Sequence, residues 1–329
     1  QQDLMIVKFS STLVFESDTS YGGESNSAYN NVAKDLQQTN DGGYILVGTT
    51  YNADSLDTDV WIVKYQPQLI KDWEYTIDGG NNDFGQSIQQ TRDGGYLVCG
   101  TSNDGNDDDI MLWKIAADGS SHSVLYSETT NSGSDNGTSD KGNYAQQTSN
   151  GGYIIVGTSY STTNAKDIRL IKLNSSADTT VANGGGFDST YNITDGYLND
   201  ESVFVQEIDD GMGIVVVGNY WASGYGQNNV FVLKTNYQGT DANTSKATFG
   251  GGYNDFGNCV RQTEDGGFII AGSKLSQSTT NEDVWVLKLT NDLSTEWDYT
   301  YGGSADDIGT SVNQTTDGGY IITGNTYSY

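Results

Sequence analysis

The chain has 329 residues, with 15 Lys plus Arg against 43 Asp plus Glu and a formal charge of −28. A surface so negative repels nucleic acid and anionic membranes, which leaves cations and neutral polar molecules such as sugars as its natural small partners. Its 42 Gly, 22 Tyr, single Pro and two Cys describe a turn-rich β protein without a disulfide framework, and no stretch approaches the roughly 20 apolar residues of a membrane span.

In chain order, Asp3 to Phe9 and Leu13 to Ser17 read as the first two strands. A turn at Asp41-Gly42-Gly43 introduces the apolar run Tyr44 to Thr49, then Asp59 to Lys64, then Trp73 to Thr76. The same succession returns with the alternating segment Gln86 to Thr91, the turn Asp93-Gly94-Gly95, and the runs Tyr96 to Thr101 and Asp109 to Ile115. These runs are too short for helices, and Gly accepts the positive φ that the tight turns demand. Each unit is therefore read as four strands, A to D, with Asp-Gly-Gly between A and B. Further copies of the turn segment begin at Asn150, Asp210, Asp265 and Asp317, and further copies of the third-strand segment at Asp167, Asn229 and Asp283. The copy at Asp210 to Gly213 is degenerate and predicts a local bulge. Leading glycines 42, 94, 151, 211, 266 and 318 are about 52 to 60 residues apart, the length of a propeller blade.

Six copies of each segment predict one all-β domain over 1–329, a six-bladed β-propeller with four strands per blade. The chain opens on strands C and D and closes on A (Thr310 to Thr315) and B (Tyr320 to Thr326), so the last blade is expected to be shared by 1–23 and 304–329. Those N-terminal strands complete either their own blade or that of a neighbouring molecule, the latter giving a head-to-tail fibre.

Thr91-Arg92-Asp93-Gly94-Gly95-Tyr96, Thr315 to Tyr320, Asp283 to Lys288, and Trp297 with Tyr301-Gly302-Gly303 together resemble the repeat units of secreted bacterial and archaeal β-propeller proteins. The resemblance spans the chain and implies a secreted or surface-attached module. Thr-x-Asp-x-Gly is also similar to half of the Asp-box turn of sialidases. Those enzymes need clustered arginines, and Arg92, Arg169 and Arg261 fall in three different blades. Sequons at Asn136, Asn174, Asn192 and Asn243 are glycosylation candidates, whereas Asn313 lies in an inner strand.

No catalytic constellation stands out. His122, the single histidine, is read as an exposed turn residue, and Cys99 and Cys259 as buried inert thiols. Asp3, Asp59, Asp109, Asp167 and Asp283 each open a third strand, and Asp83, Asp255 and Asp307 each precede an inner-strand Gly. They serve either as turn acceptors or as a ring of calcium ligands. Asp104, Asp107, Asp108 and Asp109 form the densest carboxylate cluster, an all-oxygen set suited to calcium; no other cofactor is expected. Gln37, Gln89, Gln146, Gln206, Arg261 and Asn313 share one inner-strand position. Tyr51, Tyr160, Tyr220, Trp221, Tyr225 and Tyr327 belong to the face of the B–C and D–A loops, where aromatic plates beside carboxylates suit a glycan or a protein partner. The expected function is a non-catalytic extracellular scaffold for adhesion, matrix or fibre assembly, self-associating as a homo-oligomer or filament. The alternative is a carbohydrate-active or carbohydrate-binding propeller.

Overall fold

The computed structural model describes residues 4–9, 15–21, 31–52, 54–127, 139–160, 165–179, 186–193, 199–208, 213–222, 227–239, 245–275 and 281–327. Every regular element among them is a strand. The first pair, β1 (Leu4–Phe9) and β2 (Phe15–Tyr21), is followed by β3 (Asn31–Gln38), β4 (Tyr44–Asn52), β5 (Asp57–Tyr65) and β6 (Lys71–Ile77). Next come β7 (Asp83–Gln90), β8 (Tyr96–Asn103), β9 (Asp108–Ile115) and β10 (His122–Ser127). The third set is β11 (Lys141–Gln147), β12 (Tyr153–Tyr160), β13 (Lys166–Leu173) and β14 (Phe187–Tyr191). A fourth contains β15 (Asp200–Glu207), β16 (Gly213–Ala222), β17 (Gln227–Asn236) and β18 (Lys246–Phe249). The fifth contains β19 (Asp255–Gln262), β20 (Phe268–Leu275), β21 (Glu282–Leu289) and β22 (Thr295–Tyr301), and β23 (Asp307–Gln314) and β24 (Tyr320–Thr326) come last.

Each set of four is one sheet with its strands in chain order, while β1–β2 and β23–β24 are separate two-stranded sheets. Among the described residues, β1 has β2 and β24 has β23 as its sheet neighbour. Of the second expected strand, Leu13 and Val14 lie outside the described residues, and Phe9 meets Phe15 across a register shift. The degenerate turn at 209–212 lies outside the described residues. Internal contacts divide the chain into two compact units, residues 1–147 and 148–329.

Within the first unit, second and third strands are buried on both faces because sheets cover them on either side. Ile45, Val47, Val60 and Ile62 of one sheet pack with Ile88, Val98, Met111 and Trp113 of the next. Outer strands carry the opposite pattern, and β22 is exposed at all but one position.

The two repeated segments turn out to be one device. Asp41 Oδ1 accepts from Thr39 Oγ1 at 2.5 Å and from Gly43 N at 2.9 Å, while its Oδ2 accepts from Lys64 Nζ at 2.9 Å. Lys64 is only 3% exposed, so the turn aspartate is what balances its buried ammonium. Asp93 with Lys114 and Asp265 with Lys288 repeat the arrangement. Hydrogen bonds from Thr39 and Lys64 hold the Asp41 carboxyl at about 2; Lys114 and Thr91 do the same for Asp93, and Thr263 and Lys288 for Asp265. Both glycines of the turn follow from this geometry. Gly42 has φ +80, which favours Gly. A Cβ on Gly43 would lie 2.3 Å from the Tyr65 carbonyl and 2.5 Å from Lys64 Nζ.

Inner strands are tied to one another by carboxamides. Gln37 Oε1 accepts from Gln90 N at 2.6 Å, and Gln90 Oε1 accepts from Asn40 N at 2.8 Å. Gln89 and Gln147 act the same way, as do Gln206 and Gln314 within the second unit. At Gln37, Gln89 and Gln206 the shared inner-strand position is thus built into the scaffold.

Candidate functional site

A pocket of about 440 Å³ lies in the second unit, lined in part by Tyr253, Asp255, Lys274, Asp283, Asp298 and Tyr299. The sheet β19–β22 builds most of it. Asp255 opens β19 opposite Lys274 at the end of β20, and Lys274 in turn faces Asp283 at the start of β21. Tyr299 comes from outer strand β22, and Tyr253 from the connection before β19. These strand ends are the side from which B–C and D–A connections emerge.

Two lining residues, Lys274 and Asp298, belong to a fixed polar triangle. Trp285 Nε1 donates to Asp298 Oδ2 at 3.0 Å, Lys274 Nζ reaches the same oxygen at 3.5 Å, and that ammonium sits 4.6 Å from the Trp285 ring centre. The lining also holds a buried carboxyl. Asp255 is 1% exposed, and its Oδ2 accepts from Gly251 N at 2.8 Å. Its Oδ1 is buried without a partner. Burial pushes the Asp255 carboxyl up, as it does that of Asp283, where Asp307 adds to the effect. Tyr253 and Tyr299 stand open at 38% and 71% exposure. The arrangement joins two accessible aromatic rings to fixed acceptors and one cation, which is the equipment for stacking on a ring and accepting from hydroxyl groups.

The aromatic residues singled out from sequence lie elsewhere. Tyr51, Tyr160, Tyr220 and Trp221 sit near the ends of three different second strands. Tyr160 has Lys166 Nζ 5.5 Å from its ring centre, Tyr327 follows β24 and is exposed, and Tyr225 lies outside the described residues. Sequence reasoning passed over Tyr253 and Tyr299. Comparing the D–A connections would have flagged Tyr253, since Asn81 and Ala305 occupy its place in other repeats.

Of the acidic cluster, Asp104, Asp107 and Asp109 bring carboxylate oxygens within 4.8 Å of one another. Asp108 turns away to accept from Asn103 Nδ2 at 2.8 Å. Asp83, Asp255 and Asp307 do accept backbone N–H groups, from Gly79, Gly251 and Gly303. Asp59, Asp167 and Asp283 differ, because their oxygens accept from the side-chain amides of Asn52, Asn192 and Asn281. Among the sequons, Asn174 is 7% exposed and its Oδ1 accepts from Ser176 N and Asp178 N. Asn192 faces Asp167, and Asn136 and Asn243 lie outside the described residues.

Arg169 is forked onto Asp188 at 2.5 and 2.9 Å, and Arg261 lies 4.6 Å over the Phe204 ring. Both are occupied in separate places, so the arginine cluster of a sialidase is not formed by them. His122 is exposed, with its Nδ1 2.9 Å from Tyr75 Oη. Cys99 and Cys259 are buried free thiols, and burial pushes the Cys99 thiol up.

Neither a protein-family model nor a curated protein sequence matches the chain. Solved structures do. The α-L-arabinanase of Penicillium chrysogenum, complexed with arabinobiose, is 13% identical, with 90% of this chain and 89% of the enzyme covered and a TM-score of 0.58. The fold is propeller-like. Sqt1 of Chaetomium thermophilum, bound to the N-terminus of a ribosomal protein, is 10% identical over 86% of this chain and 66% of its own, with a TM-score of 0.48.

Proposed function

We propose that this chain is an extracellular carbohydrate-binding propeller whose ligand occupies the Tyr253–Tyr299 pocket. The observation that carries the reading is the pairing of two exposed tyrosines with the buried, incompletely satisfied Asp255 in one cavity. A sugar ring offers an apolar face to tyrosine and hydroxyl donors to carboxylate, and the strongly acidic surface favours a neutral ligand of this kind. The propeller-like arabinanase complexed with arabinobiose adds support through its fold. Affinity electrophoresis through gels containing neutral polysaccharides, with calorimetry on arabinobiose and other disaccharides, tests it. Retention is expected for at least one glycan, with Tyr299→Ala weakening binding about tenfold, equivalent to about 1.4 kcal/mol. Uniform failure to bind, or unchanged binding in that variant, rejects the pocket as a glycan site.

A second reading concerns assembly, and unfinished edges favour it. Strand β24 has β23 as its sheet neighbour and exposes Ile321 at 56%, while β1 exposes Met5 at 66%. Asp317 repeats the turn bonds to Thr315 and Gly319, yet among the described residues no lysine completes them. We infer that β1 supplies the missing third strand, with Lys8 in the place that Lys64 takes for Asp41, closing six blades in one molecule or joining two in a fibre. By analogy with Ile270 opposite Leu287, Ile322 should face Val7. The Val7→Cys/Ile322→Cys variant should oxidise to an internal disulfide if closure is within the chain and to covalent multimers if it is between chains. Recovery of free thiols under oxidant would refute the pairing.

A further inference from the structure

We propose that Asp57, Asp59, Asp78 and Asp83 form a Ca2+ site at the junction of the first two four-stranded sheets. Asp57 and Asp59 lie at the start of β5, Asp78 directly follows β6, and Asp83 opens β7. Carboxylate oxygens of Asp57, Asp59 and Asp78 lie within 4.8 Å of one another. Proximity of acids is common on a protein this negative and carries little by itself. Dryness is the second observation.

Asp59 is 2% exposed and Asp83 0%. Asp59 Oδ2 accepts from Asn52 Nδ2 at 3.3 Å, and Asp83 Oδ2 accepts from Gly79 N at 2.6 Å, with the Ser102 hydroxyl also at that carboxyl. The remaining oxygen of each, Oδ1, is buried with no hydrogen-bond donor. Two anionic oxygens removed from water and left without donors, beside two further carboxylates, are held together at a high electrostatic cost unless positive charge stands among them.

Comparison with other repeats shows that the crowding is an addition. Asp83, Asp255 and Asp307 each accept from the N–H four residues earlier, at 2.6, 2.8 and 2.7 Å. That shared turn places Asp78, Gly250 and Gly302 at one equivalent point. A Cβ on Gly302 would lie 2.1 Å from Asp283 Oδ1 and 2.9 Å from Asp307 Oδ2; one on Gly250 would lie 2.4 Å from Asn229 Oδ1 and 2.6 Å from Asp255 Oδ2. Later repeats therefore leave a glycine where the side-chain oxygens of the third strand and the next inner strand converge. The first junction puts a third carboxylate on that spot. All donors are oxygens and most are charged, a set that selects a hard divalent cation, and the coordination number of Ca2+ suits four carboxylates completed by water.

The full chain, stripped with a chelator, should be titrated with CaCl2 by calorimetry and melted with CaCl2 or with NaCl of equal ionic strength. Binding is expected with a Kd on the order of 0.1–1 mM, the range of extracellular calcium modules, together with a higher melting temperature in CaCl2 alone. Asp78→Asn, at an exposed side chain, should fold normally and weaken Ca2+ binding about tenfold, and Asp59→Asn should weaken it further. Absence of both heat and melting shift at millimolar Ca2+ overturns the proposal. So does binding that survives unchanged in Asp78→Asn, because the ion would then sit elsewhere; if Asp59→Asn does not fold, Asp78→Asn decides.

Discussion

Replacing Asp41 by Ala should lower stability by about 2–3 kcal/mol, read as an earlier urea midpoint at unchanged slope. The substitution removes the carboxylate that faces Lys64 Nζ at 2.9 Å and leaves that 3%-exposed lysine with the Tyr65 carbonyl at 3.1 Å. A buried ammonium with one neutral acceptor is the costly state, more so than loss of the ion pair itself. The double variant Asp41→Ala/Lys64→Met should therefore recover much of the loss, since an apolar chain of similar length fills the same channel. Equal stability of the single and double variants would show that the ammonium is solvated and the pair incidental. Acid provides an independent reading. The Asp41, Asp93 and Asp265 carboxyls are held at about 2 in the folded protein, below the ~3.9 of an unfolded aspartate. The unfolded chain thus binds protons first as pH falls. The stabilisation is complete above roughly pH 5 and disappears as pH drops towards 2. Asp41 is 61% exposed, so solvent screening makes the acid effect smaller than the mutational one.

The second large effect is expected at Gly100. A Cβ there would fall 2.0 Å from the Phe84 carbonyl oxygen and 3.0 Å from the Trp113 ring. Backbone on one side and a core indole on the other leave nothing flexible to yield, so Gly100→Ala should cost about 3 kcal/mol or more. Gly252 has nothing within 4 Å of its would-be Cβ. Gly252→Ala should stay within about 0.5 kcal/mol of the parent. Thermal melts of the two variants compare close packing with mere loss of a glycine, and equal melting temperatures would contradict the contact at Gly100.

Fold class was legible because its signals are local. Alternation in Gln86 to Thr91 and apolar runs such as Tyr96 to Thr101 depend on neighbours a few residues away, as does the φ +87 turn at Gly94. Strands β7 and β8 accordingly lie where the pattern places them. The site was much less legible. Tyr253 and Tyr299 are 46 positions apart in the chain, and no periodicity says that they border one cavity. The loop aromatics among the described residues lie near strand ends, but every sheet has such ends, and their presence does not select which one holds a pocket.

The amino-acid order alone determined the short-range features: strand content, six copies of each segment, glycine at the left-handed turn position, and buried thiols in place of a disulfide. Tertiary structure alone decided which distant groups meet. Asp41 and Lys64 are 23 residues apart, and their pairing converts two separate motifs into one. Asp59 and Asp83 end on dry oxygens at a junction between sheets, and the third-strand segment that opens the chain pairs with β2 in a sheet of two. The reason is physical. Backbone conformation follows from adjacent side chains and hydrogen bonds, whereas desolvation and charge pairing depend on which surfaces packing brings together.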